Sequence, residues 1–539
     1  MNAKTILGIL LTLVFGLVPQ TSAKEPPTNI LFIFADDWGW GDLSCHGHPY
    51  VKTPNIDRLA KGGTDFHRFT VASGVCSPSR TAVMTGHFPA RYNINGHFAW
   101  VPSNAKRNMP DWLDPKAPLL SRFLKSAGYA TAHFGKWHLA NDMIPDSPPP
   151  SRYAFDVYGA FNCSGKQMPV HEDAKNAISF IEKSNRDGKP FFINLWLHEP
   201  HTPFHTVPEY RQRFPKLKER DNIYASVLSH ADDRVGEVLA ALDRLNLTDQ
   251  TLVIFSSDNG PARAGRGAKL ESMYDSATGK GFNIAASKGI TGGRKGYKAA
   301  LFEGGVGVPF IARWPGKIAA GKIDRTSIFS AVDLLPTFCE IAGVKLPASY
   351  QPDGVSQLTT LKGKGKSLRE KPLFWKTVAP WPARKTKPDH WVSYAVVSQN
   401  WKLVTNRDAG YVELYDLVAD PLEKNNLKEK HPAIVKELML NMESTSPLSR
   451  SFDKAGAAAC LNSVSFRTSI PKPSIIAALV ALNAPAPVDQ LANFFPRRSA
   501  IVLNGESFRT MTSCITVSPP PIMTQSNPLF IFAMAAVPG

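Results

Sequence analysis

The chain has 539 residues, a hydrophobic fraction of 43%, a charged fraction of 20% and a formal net charge of +17 at pH 7. This composition excludes a fibrous or wholly disordered protein, and the length allows a large core plus a smaller module. The excess of positive charge favours polyanionic partners.

Residues 1–23 have the pattern of a secretory signal peptide. One Lys precedes an apolar run from Ile6 to Val18, and the small residues Thr21-Ser22-Ala23 follow. The run is too short to span a bilayer as a finished helix, so no stable membrane span is predicted. We expect a secreted or periplasmic protein, or a lysosomal or extracellular one in a eukaryote. Such a chain, which has no nucleic-acid motif, suits sulfated polysaccharide better than nucleic acid.

Apolar strands alternate with helical segments between residues 24 and 370. Continuous apolar runs predict buried strands at 29–35, 130–134, 191–197 and 251–256. Apolar spacing and local signals predict helices at 54–60, 174–184 and 222–245, and a helix that starts at 81–85. This alternation predicts an α/β fold, a three-layer α/β/α sandwich around a large, mostly parallel mixed sheet.

The sequence pattern changes twice after residue 370. Short strands are predicted at 373–375, 392–397, 401–405 and 413–417, with a helix at 432–442. They predict a small C-terminal α+β subdomain with an antiparallel sheet over residues 371–450. Residues 451–539 carry few charges and many Pro, Ser and Ala, which predicts an irregular tail.

Acidic and amide side chains follow two of the predicted strands. Asp36 and Asp37 come after the first strand, and Asp258 and Asn259 come after the strand at 251–256. The carboxyl ends of parallel strands meet at one edge of a sheet, so these side chains are expected to lie together. An isolated Asp-Asp pair is more often a solvated turn, but two groups of oxygen ligands favour a hard cation such as calcium.

Basic side chains are expected at the same edge. Lys136 and His138 follow the second strand, and their spacing puts them on one side of an extended segment. His201 lies between prolines that restrict its backbone, and Lys298 precedes a glycine-rich segment. The alternatives are a surface pair for Lys136 and His138, a structural turn for His201 and an ordinary loop lysine for Lys298.

Cys76 lies in the string Cys76-Ser77-Pro78-Ser79-Arg80. One interpretation is a buried small hydrophobe, and another is a reactive thiolate whose pKa the nearby arginine lowers. The three residues between Cys76 and Arg80 argue against a tyrosine-phosphatase loop, which has five.

Nine stretches of the chain, in one order from about Asn29 to about Leu427, together resemble the type I sulfatases of the alkaline phosphatase superfamily. Among these enzymes the chain is most similar to arylsulfatases and N-acetylgalactosamine-6-sulfatase-like enzymes. The stretches are NILFIFADDWGWGDL, TPNIDRLAKGGTDF, CSPSRTAVMTG, GYATAHFGKWHL, HEPHTPF, TLVIFSSDNG, FEGGVGVPFI, VDLLPTF and ELYDLVADPLEKNNL.

The resemblance implies a catalytic group that the gene does not encode directly. A formylglycine-generating or sulfatase-maturing enzyme oxidises the cysteine of this motif, here Cys76, to formylglycine (3-oxoalanine). One Ca²⁺ ion is then expected to be held by Asp36, Asp37, Asp258 and Asn259, with the modified residue 76 completing the site.

The resemblance also implies roles for the basic residues. Arg80 steadies the formylglycine hydrate, and Lys136 and Lys298 bind sulfate oxygens. His201, helped by Lys298, protonates the departing alcohol, and His138 assists the last step. An acid is needed because an alkoxide leaves poorly, and fixed cations are needed because a sulfate ester is itself an anion.

Two features depart from the family pattern. Relatives commonly carry Arg where this chain has Gly307, which affects the loop after Glu303. Lys295, three residues before Lys298, competes with it for the role of the sulfate-binding lysine.

The leading hypothesis is an exported sulfatase, a sulfuric ester hydrolase, that acts on sulfated carbohydrates or aryl sulfates. The first alternative is a phosphodiesterase or phosphonate hydrolase on the same fold, since phosphate resembles sulfate in shape. The second is a catalytically silent protein that binds sulfated glycans and in which Cys76 stays a thiol.

Overall fold

The computed structural model describes residues 28–365, 369–378, 392–406 and 411–444. The signal peptide predicted at 1–23 and the tail predicted at 451–539 lie outside these described residues.

The described residues form sixteen strands and eleven α-helices. The strands are β1 (Asn29–Ala35), β2 (Thr64–Phe66), β3 (Phe69–Thr70), β4 (Ala130–Lys136), β5 (Val157–Phe161), β6 (Phe191–Trp196), β7 (Thr251–Ser257), β8 (Ser272–Asp275), β9 (Gly279–Phe282), β10 (Phe310–Arg313), β11 (Lys322–Asp324), β12 (Phe329–Ser330), β13 (Leu373–Lys376), β14 (Tyr394–Ser398), β15 (Trp401–Asn406) and β16 (Tyr411–Asp416). The helices are α1 (Pro54–Lys61), α2 (Cys76–Thr85), α3 (Val101–Lys106), α4 (Leu120–Ser126), α5 (Asp173–Arg186), α6 (Pro208–Gln212), α7 (Glu219–Arg244), α8 (Glu303–Val306), α9 (Leu334–Ile341), α10 (Leu358–Leu361) and α11 (Pro432–Ser444).

An eight-stranded mixed sheet lies at the centre of the fold, in the order β11-β2-β10-β7-β1-β6-β4-β5. Strands β5, β4, β6, β1 and β7 are mutually parallel, and β10 pairs antiparallel with both β7 and β2. The predicted large, mostly parallel mixed sheet is therefore confirmed.

Helices cover both faces of this sheet, because its central strands are apolar on both sides. In β1, Ile30 and Phe32 belong to a core that includes residues of α2, α4 and α9, whereas Leu31 and Ile33 belong to a core that includes residues of α1, α5 and α7. A strand with alternate side chains in two cores is buried on both faces, as a central parallel strand must be.

The helix predicted to start at 81–85 is longer than expected. It begins at Cys76, so that the whole Cys76–Arg80 motif is helical. Pro78 occupies the first turn, where a backbone N–H has no partner within the helix and a proline is tolerated. The prediction of a start after Arg80 was therefore wrong.

Strands β13 to β16 form the predicted antiparallel sheet in the order β13-β14-β15-β16. Leu438 and Met442 of α11 are buried in the same core as Val396 and Leu403 of this sheet. The indole N–H of Trp375 donates to the carbonyl of Val71 at 2.7 Å, which ties the small sheet to the segment before α2.

A buried ion cluster also joins the small sheet to the rest of the fold. Lys402 of β15 has a fully buried side chain whose Nζ lies 2.8 Å from Glu303 and 3.1 Å from Glu423. Arg294 lies 3.5 Å from the other carboxylate oxygen of Glu303. Removing one member of such a cluster leaves a buried charge without its partner, which is strongly destabilising.

This cluster also occupies the space beside Gly307, the position at which the resemblance implies an arginine. A Cβ built on Gly307 lies 2.4 Å from Nη1 of Arg294 and 2.5 Å from a carboxylate oxygen of Glu303. The space beside Gly307 is thus filled by the guanidinium of Arg294, which reaches Glu303 from another part of the chain.

We expect Gly307→Arg to lower the free energy of unfolding by about 1 to 3 kcal/mol, because the new side chain overpacks the space that Arg294 occupies. Adding Arg294→Ala is expected to recover most of that loss, because the arginine at position 307 can then pair with Glu303 in place of Arg294. Chemical denaturation of the two single variants and the double variant measures the coupling. Additive losses in the double variant would show that the two side chains do not share this space.

Across the described residues, no helix has the length and apolar content that a membrane span requires.

Candidate active site at the carboxyl edge of the sheet

Two pairs of oxygen ligands lie side by side because β1 and β7 are neighbours in register, with Ala35 opposite Ser257. Asp36 and Asp37 follow β1, and Asp258 and Asn259 follow β7. The amide N–H of Asp37 donates to Asp258 Oδ1 at 3.2 Å, and Asn259 Nδ2 donates to Asp37 Oδ1 at 2.7 Å. All four side chains are buried. The structure thus brings together the four residues predicted as metal ligands.

The oxygen atoms of this group suit a cation. Oδ1 of Asp36 and Oδ1 of Asn259 are buried and have no hydrogen-bond partner among the described residues. One ligand atom each of Asp36, Cys76 and Asp258 lies within 4.8 Å of the others. Unpaired buried acceptors are costly, and a hard cation that takes six to eight oxygen ligands would satisfy them.

Cys76 is the first residue of α2, so the N-terminal end of that helix faces the oxygen ligands. Its Sγ lies 3.0 Å from Nδ1 of His138, whose Nε2 donates to the carbonyl of Phe98 at 2.9 Å. Because Nε2 carries the ring proton, Nδ1 accepts from the Cys76 thiol. Burial lowers the pKa of His138 to about 3, so its ring is neutral in this arrangement.

Arg80, one helical turn after Cys76, is fully buried and locks α2 to β7. Its Nε and Nη2 donate to Asp258 Oδ2 at 3.0 and 2.6 Å, and Nη1 donates to the carbonyl of Lys136 at 3.2 Å. The guanidinium also lies over the ring of Trp196, 4.9 Å from its centroid. Two N–H groups of one buried arginine hold Oδ2 of Asp258 in place, and the N–H of Asp37 holds Oδ1, so the carboxylate has one orientation, as a ligand to a metal requires.

Two lysines reach the oxygen ligands. Lys136, the last residue of β4, donates to Asp36. Lys298 Nζ lies 2.6 Å from Oδ1 and 2.8 Å from Oδ2 of Asp37. Lys295 instead donates to Glu413 at 2.7 Å and to the Tyr415 hydroxyl at 2.9 Å. The structure therefore places Lys298, and not Lys295, beside the group of candidate metal ligands.

His201 lies at the open side of the site. Its Nδ1 donates to the carbonyl of Thr202 at 2.6 Å, which leaves Nε2 facing the site, 3.9 Å from Asp37 Oδ2. The side chains of His201 and Lys298 are 25% and 22% exposed, whereas that of Asp36 is fully buried. His201 and Lys298 therefore lie on the solvent-exposed side of this group.

The three buried carboxyl groups at the centre of the site have different pKa shifts. Burial raises the pKa of Asp258 well above its usual value, and the neighbouring Asp36 raises it further. Burial also raises the pKa of Asp37, whereas for Asp36 the effect of burial is outweighed by the charges of His201 and of basic residues such as Lys136, and its pKa is lowered. Two of the three carboxylates would thus be stabilised as anions by an additional cation.

Lys136 and His138 both reach the site, as predicted, but they do not lie on one side of an extended segment. Only Lys136 is in a strand, and His138 has a φ of 50°, so the segment is not extended through both residues. The turn at His138 brings its ring to Cys76 while Lys136 reaches Asp36.

One further histidine was missed from the sequence. A ring nitrogen of His198 lies within 4.8 Å of ligand atoms of both Asp36 and His201. Its Nε2 donates to the carbonyl of Pro203 at 3.1 Å, which holds the ring of a buried residue in place. The sequence carries a signal for this residue, because His198 and His201 are three residues apart in one segment, but only His201 was predicted.

The chain matches the model of the sulfatase family over residues 28–344, and the model described as N-sulphoglucosamine sulphohydrolase, C-terminal, over residues 295–446. It is 32% identical over 418 residues to N-acetylgalactosamine-6-sulfatase of Sus scrofa, an alignment that covers 69% of this chain and 73% of the pig protein. It is 28% identical over 520 residues to N-acetylgalactosamine-6-O-sulfatase of Bacteroides thetaiotaomicron, which covers 79% and 94% of the two chains.

The chain is also similar to solved structures. The structure of Ps i-CgsB in complex with k-i-k-neocarrahexaose superimposes with a TM-score of 0.63 and 26% identity, and the match covers 78% of this chain and 93% of that one. The matched family model spans more than half of this chain, and the pig relative is matched over more than two thirds of its length. The chain therefore belongs to the sulfatase family and is a sulfuric ester hydrolase.

Proposed function

We propose that this sulfatase hydrolyses sulfate monoesters of a sulfated carbohydrate, with Cys76 converted to formylglycine and one Ca²⁺ ion bound beside it. The observation that carries the proposal is the position of Cys76. Its Sγ lies at the N-terminal end of α2, in one buried site with Asp36 and Asp258.

The ion would be held by Asp36, Asp37, Asp258 and Asn259, whose unpaired oxygen atoms support this assignment. Bound there, Ca²⁺ supplies Lewis-acid stabilisation of negative charge on sulfate oxygens. Arg80 keeps Asp258 in its ligand orientation through two hydrogen bonds. The site without the ion contains three carboxylates and the three cations Arg80, Lys136 and Lys298. A divalent ion therefore makes it net positive, as an anionic substrate requires.

Formylglycine hydrate offers two hydroxyl groups, one to attack sulfur and a second whose deprotonation expels sulfate and restores the aldehyde. The chain positions a base for each hydroxyl. Asp258 lies with residue 76 and Asp36 in one group of ligand atoms, and Nδ1 of His138 is an acceptor directed at the side chain of residue 76. We assign Asp258 to the first deprotonation and His138 to the second.

Lys136 and Lys298 would bind the sulfate oxygens that face away from residue 76. Each lysine currently contacts a carboxylate, and both are within reach of an anion that enters beside His201. Two ammonium groups from different parts of the chain hold a tetrahedral anion in one orientation, with its ester oxygen toward the open side.

His201 would protonate the departing alcohol. The bond from its Nδ1 to Thr202 leaves Nε2 facing the site, 3.9 Å from Asp37 Oδ2, where the ester oxygen would lie. Burial holds the pKa of His201 well below its usual value, although Asp36 opposes this effect. A bound anionic sulfate raises that pKa, so the proton on Nε2 is stabilised when the substrate is present.

The effect of His201→Asn is expected to depend on the leaving group. A sugar sulfate, whose alkoxide leaves poorly, should lose about 10² to 10⁴-fold in kcat/KM, whereas an aryl sulfate with an acidic phenol should lose much less. Steady-state kinetics with a series of phenyl sulfates and one sugar sulfate measure this dependence. His87→Gln, which changes a histidine outside the site, is the matched control. An equal loss for every leaving group would remove His201 from the role of acid.

The substrate class follows from charge and from the relatives. The net charge of +17 favours a polyanionic substrate. Two relatives are named for the 6-sulfate of N-acetylgalactosamine, and a related structure is a complex with k-i-k-neocarrahexaose. Together with the export signal predicted at 1–23, these support an extracellular, periplasmic or lysosomal enzyme that acts on sulfated carbohydrate and is matured by a formylglycine-generating or sulfatase-maturing enzyme.

Turnover of an aryl sulfate and an aryl phosphodiester by one preparation tests the reaction type. We expect the sulfate to be hydrolysed with a kcat/KM at least about 10²-fold higher. Both substrates carry one negative charge, but a phosphodiester has a second ester group in place of one of the free oxygens that a sulfate monoester offers to Lys136 and Lys298. A preference for the phosphodiester would contradict the proposed function. A screen of desulfation products from defined glycosaminoglycan and algal oligosaccharides then identifies the sugar.

A further inference from the structure

A second group of metal-ligand side chains lies outside the candidate active site, where the segment after β1 meets β2. It consists of Cys45, His46, Asp65 and His67, which we call the β2 cluster. One ligand atom each of Cys45, His46 and Asp65 lies within 4.8 Å of the others. None of the contacts proposed for catalysis involves these four residues.

The hydrogen bonds of His46 require a proton or a metal ion at its second nitrogen. Nδ1 lies 2.7 Å from the carbonyl of Trp40 and must carry a hydrogen, because a carbonyl only accepts. Nε2 lies 2.7 Å from Asp65 Oδ2. In a neutral ring Nε2 would then direct its lone pair at a carboxylate, which is repulsive. Either a proton or a metal ion must occupy Nε2.

The surroundings of His46 match those of a metal-binding histidine. Metal-bound histidines commonly donate their other N–H to a carbonyl or carboxylate, which fixes the ring and its tautomer. Here the carbonyl of Trp40 has that role, and the ring of Trp40 stacks on His46 at a centroid distance of 4.0 Å and an angle of 16°. The ring is therefore oriented before any ion binds.

The two carboxylate oxygens of Asp65 have different surroundings. Oδ2 faces both imidazoles, since Nε2 of His67 lies 3.2 Å from it. Oδ1 is buried and has no hydrogen-bond partner in the described part of the chain. Arg294 directs its guanidinium to Glu303 and to the carbonyl of His67 instead. An ion at Oδ1 would satisfy a buried acceptor that is otherwise unpaired.

We propose that the β2 cluster binds one Zn²⁺ ion through Cys45 Sγ, His46 Nε2 and the carboxylate of Asp65, with a fourth position for His67 or water on the exposed side. Sulfur, imidazole and carboxylate form a usual ligand set for zinc and a poor one for calcium. Zinc-to-ligand distances of about 2.0 to 2.3 Å place tetrahedral ligand atoms about 3.3 to 3.6 Å apart, so separations within the group must shorten by at most about 1.5 Å. The 2.7 Å between His46 Nε2 and Asp65 Oδ2 must lengthen, or the ion must use Oδ1 of Asp65.

Two features favour the ion at this place. Asp57, whose Oδ1 accepts from the backbone N–H of Cys45 at 3.0 Å, adds negative charge beside the thiol. Cys45 is exposed, so an ion has a route to the cluster from solvent. Zinc would tie the turn Ser44–His46, which follows the loop that carries Asp36 and Asp37, to β2.

Zinc retention by the full-length, calcium-loaded protein tests the proposal. After incubation with ZnCl₂ and gel filtration, elemental analysis is expected to find one zinc per chain, together with a higher Tm than without zinc. Cys45→Ser and His46→Gln should each lose the retained zinc and the Tm increase. Cys45 is exposed, so its serine variant is expected to fold. Asp37→Asn, which alters the candidate active site, should keep the zinc.

Cobalt provides an independent readout. Co²⁺ in the β2 cluster should give a thiolate-to-metal absorption band that is absent in Cys45→Ser. Failure of the wild-type protein to retain zinc, or equal retention by Cys45→Ser, would overturn the proposal in favour of a protonated His46 paired with Asp65. Zinc lost in Asp37→Asn but kept in Cys45→Ser would overturn it by placing the ion in the active site.

Discussion

Replacing Cys76 with alanine is expected to reduce sulfate ester hydrolysis by about 10⁵-fold while leaving the protein folded. The side chain of residue 76 is the only group in the proposed mechanism that forms a bond to sulfur, so its loss removes the reaction and not merely its orientation. In the structure the thiol makes one side-chain hydrogen bond, to His138, and its removal should cost about 1 kcal/mol of stability. Kinetics with an aryl sulfate and thermal denaturation measure the two effects.

Cys163→Ala is the matched control for this experiment. Cys163 is also a buried free cysteine, but its Sγ donates only to the carbonyl of Ala160 at 3.5 Å. We expect the control to keep wild-type kcat/KM. If Cys76→Ala retained activity near wild type, another nucleophile would have to act and the assignment of Cys76 would be wrong.

Removal of calcium is expected to have the next largest effect, a loss of about 10³-fold or more in kcat/KM that added Ca²⁺ reverses. The same treatment should lower Tm, because the ion stabilises buried carboxylates such as Asp258, whose pKa burial raises. Calcium at about 100 times its Kd would add about 2.7 kcal/mol to the free energy of unfolding. Chelation followed by titration with CaCl₂ or MgCl₂, with activity and Tm both recorded, measures these effects.

Variants assign the calcium response to the candidate site. Asp37→Asn should lose the increase in Tm on adding Ca²⁺, because it removes a charged ligand. Asp353→Asn removes a carboxylate that pairs with Arg91 elsewhere in the fold and should keep that increase. A chelated protein with full activity, or an Asp37→Asn protein with an unchanged calcium response, would exclude the proposed metal site.

The buried strands were predictable because their composition leaves few alternatives. The apolar run Asn29–Ala35 is found as β1 with the predicted bounds, and the acidic pairs after β1 and β7 meet because parallel neighbours end at the same edge. The hairpin of β8 and β9 was not predicted. Its residues, SMYD and GKGF, show no apolar alternation, and the hairpin is placed by the bridge between Phe204 and Phe282.

The finer arrangement of the site depended on contacts that spacing does not encode. Lys295 and Lys298 are three residues apart, and the positions of Glu413 and Tyr415 in the small sheet determine that Lys295 points away from the site. The orientation of His138 results from one residue with positive φ. The contact of Arg294 with the space beside Gly307 could not be predicted from the sequence, because it depends on tertiary packing.

The central claim is that the thiol of Cys76 becomes an aldehyde at the head of α2, and the mass of the tryptic peptide Phe69–Arg80 from protein made in its native host tests it most directly. The account predicts a peptide about 18 Da lighter than its encoded mass that does not react with a thiol-alkylating reagent. A peptide of encoded mass with an alkylatable Cys76, obtained from fully active enzyme, would contradict the account.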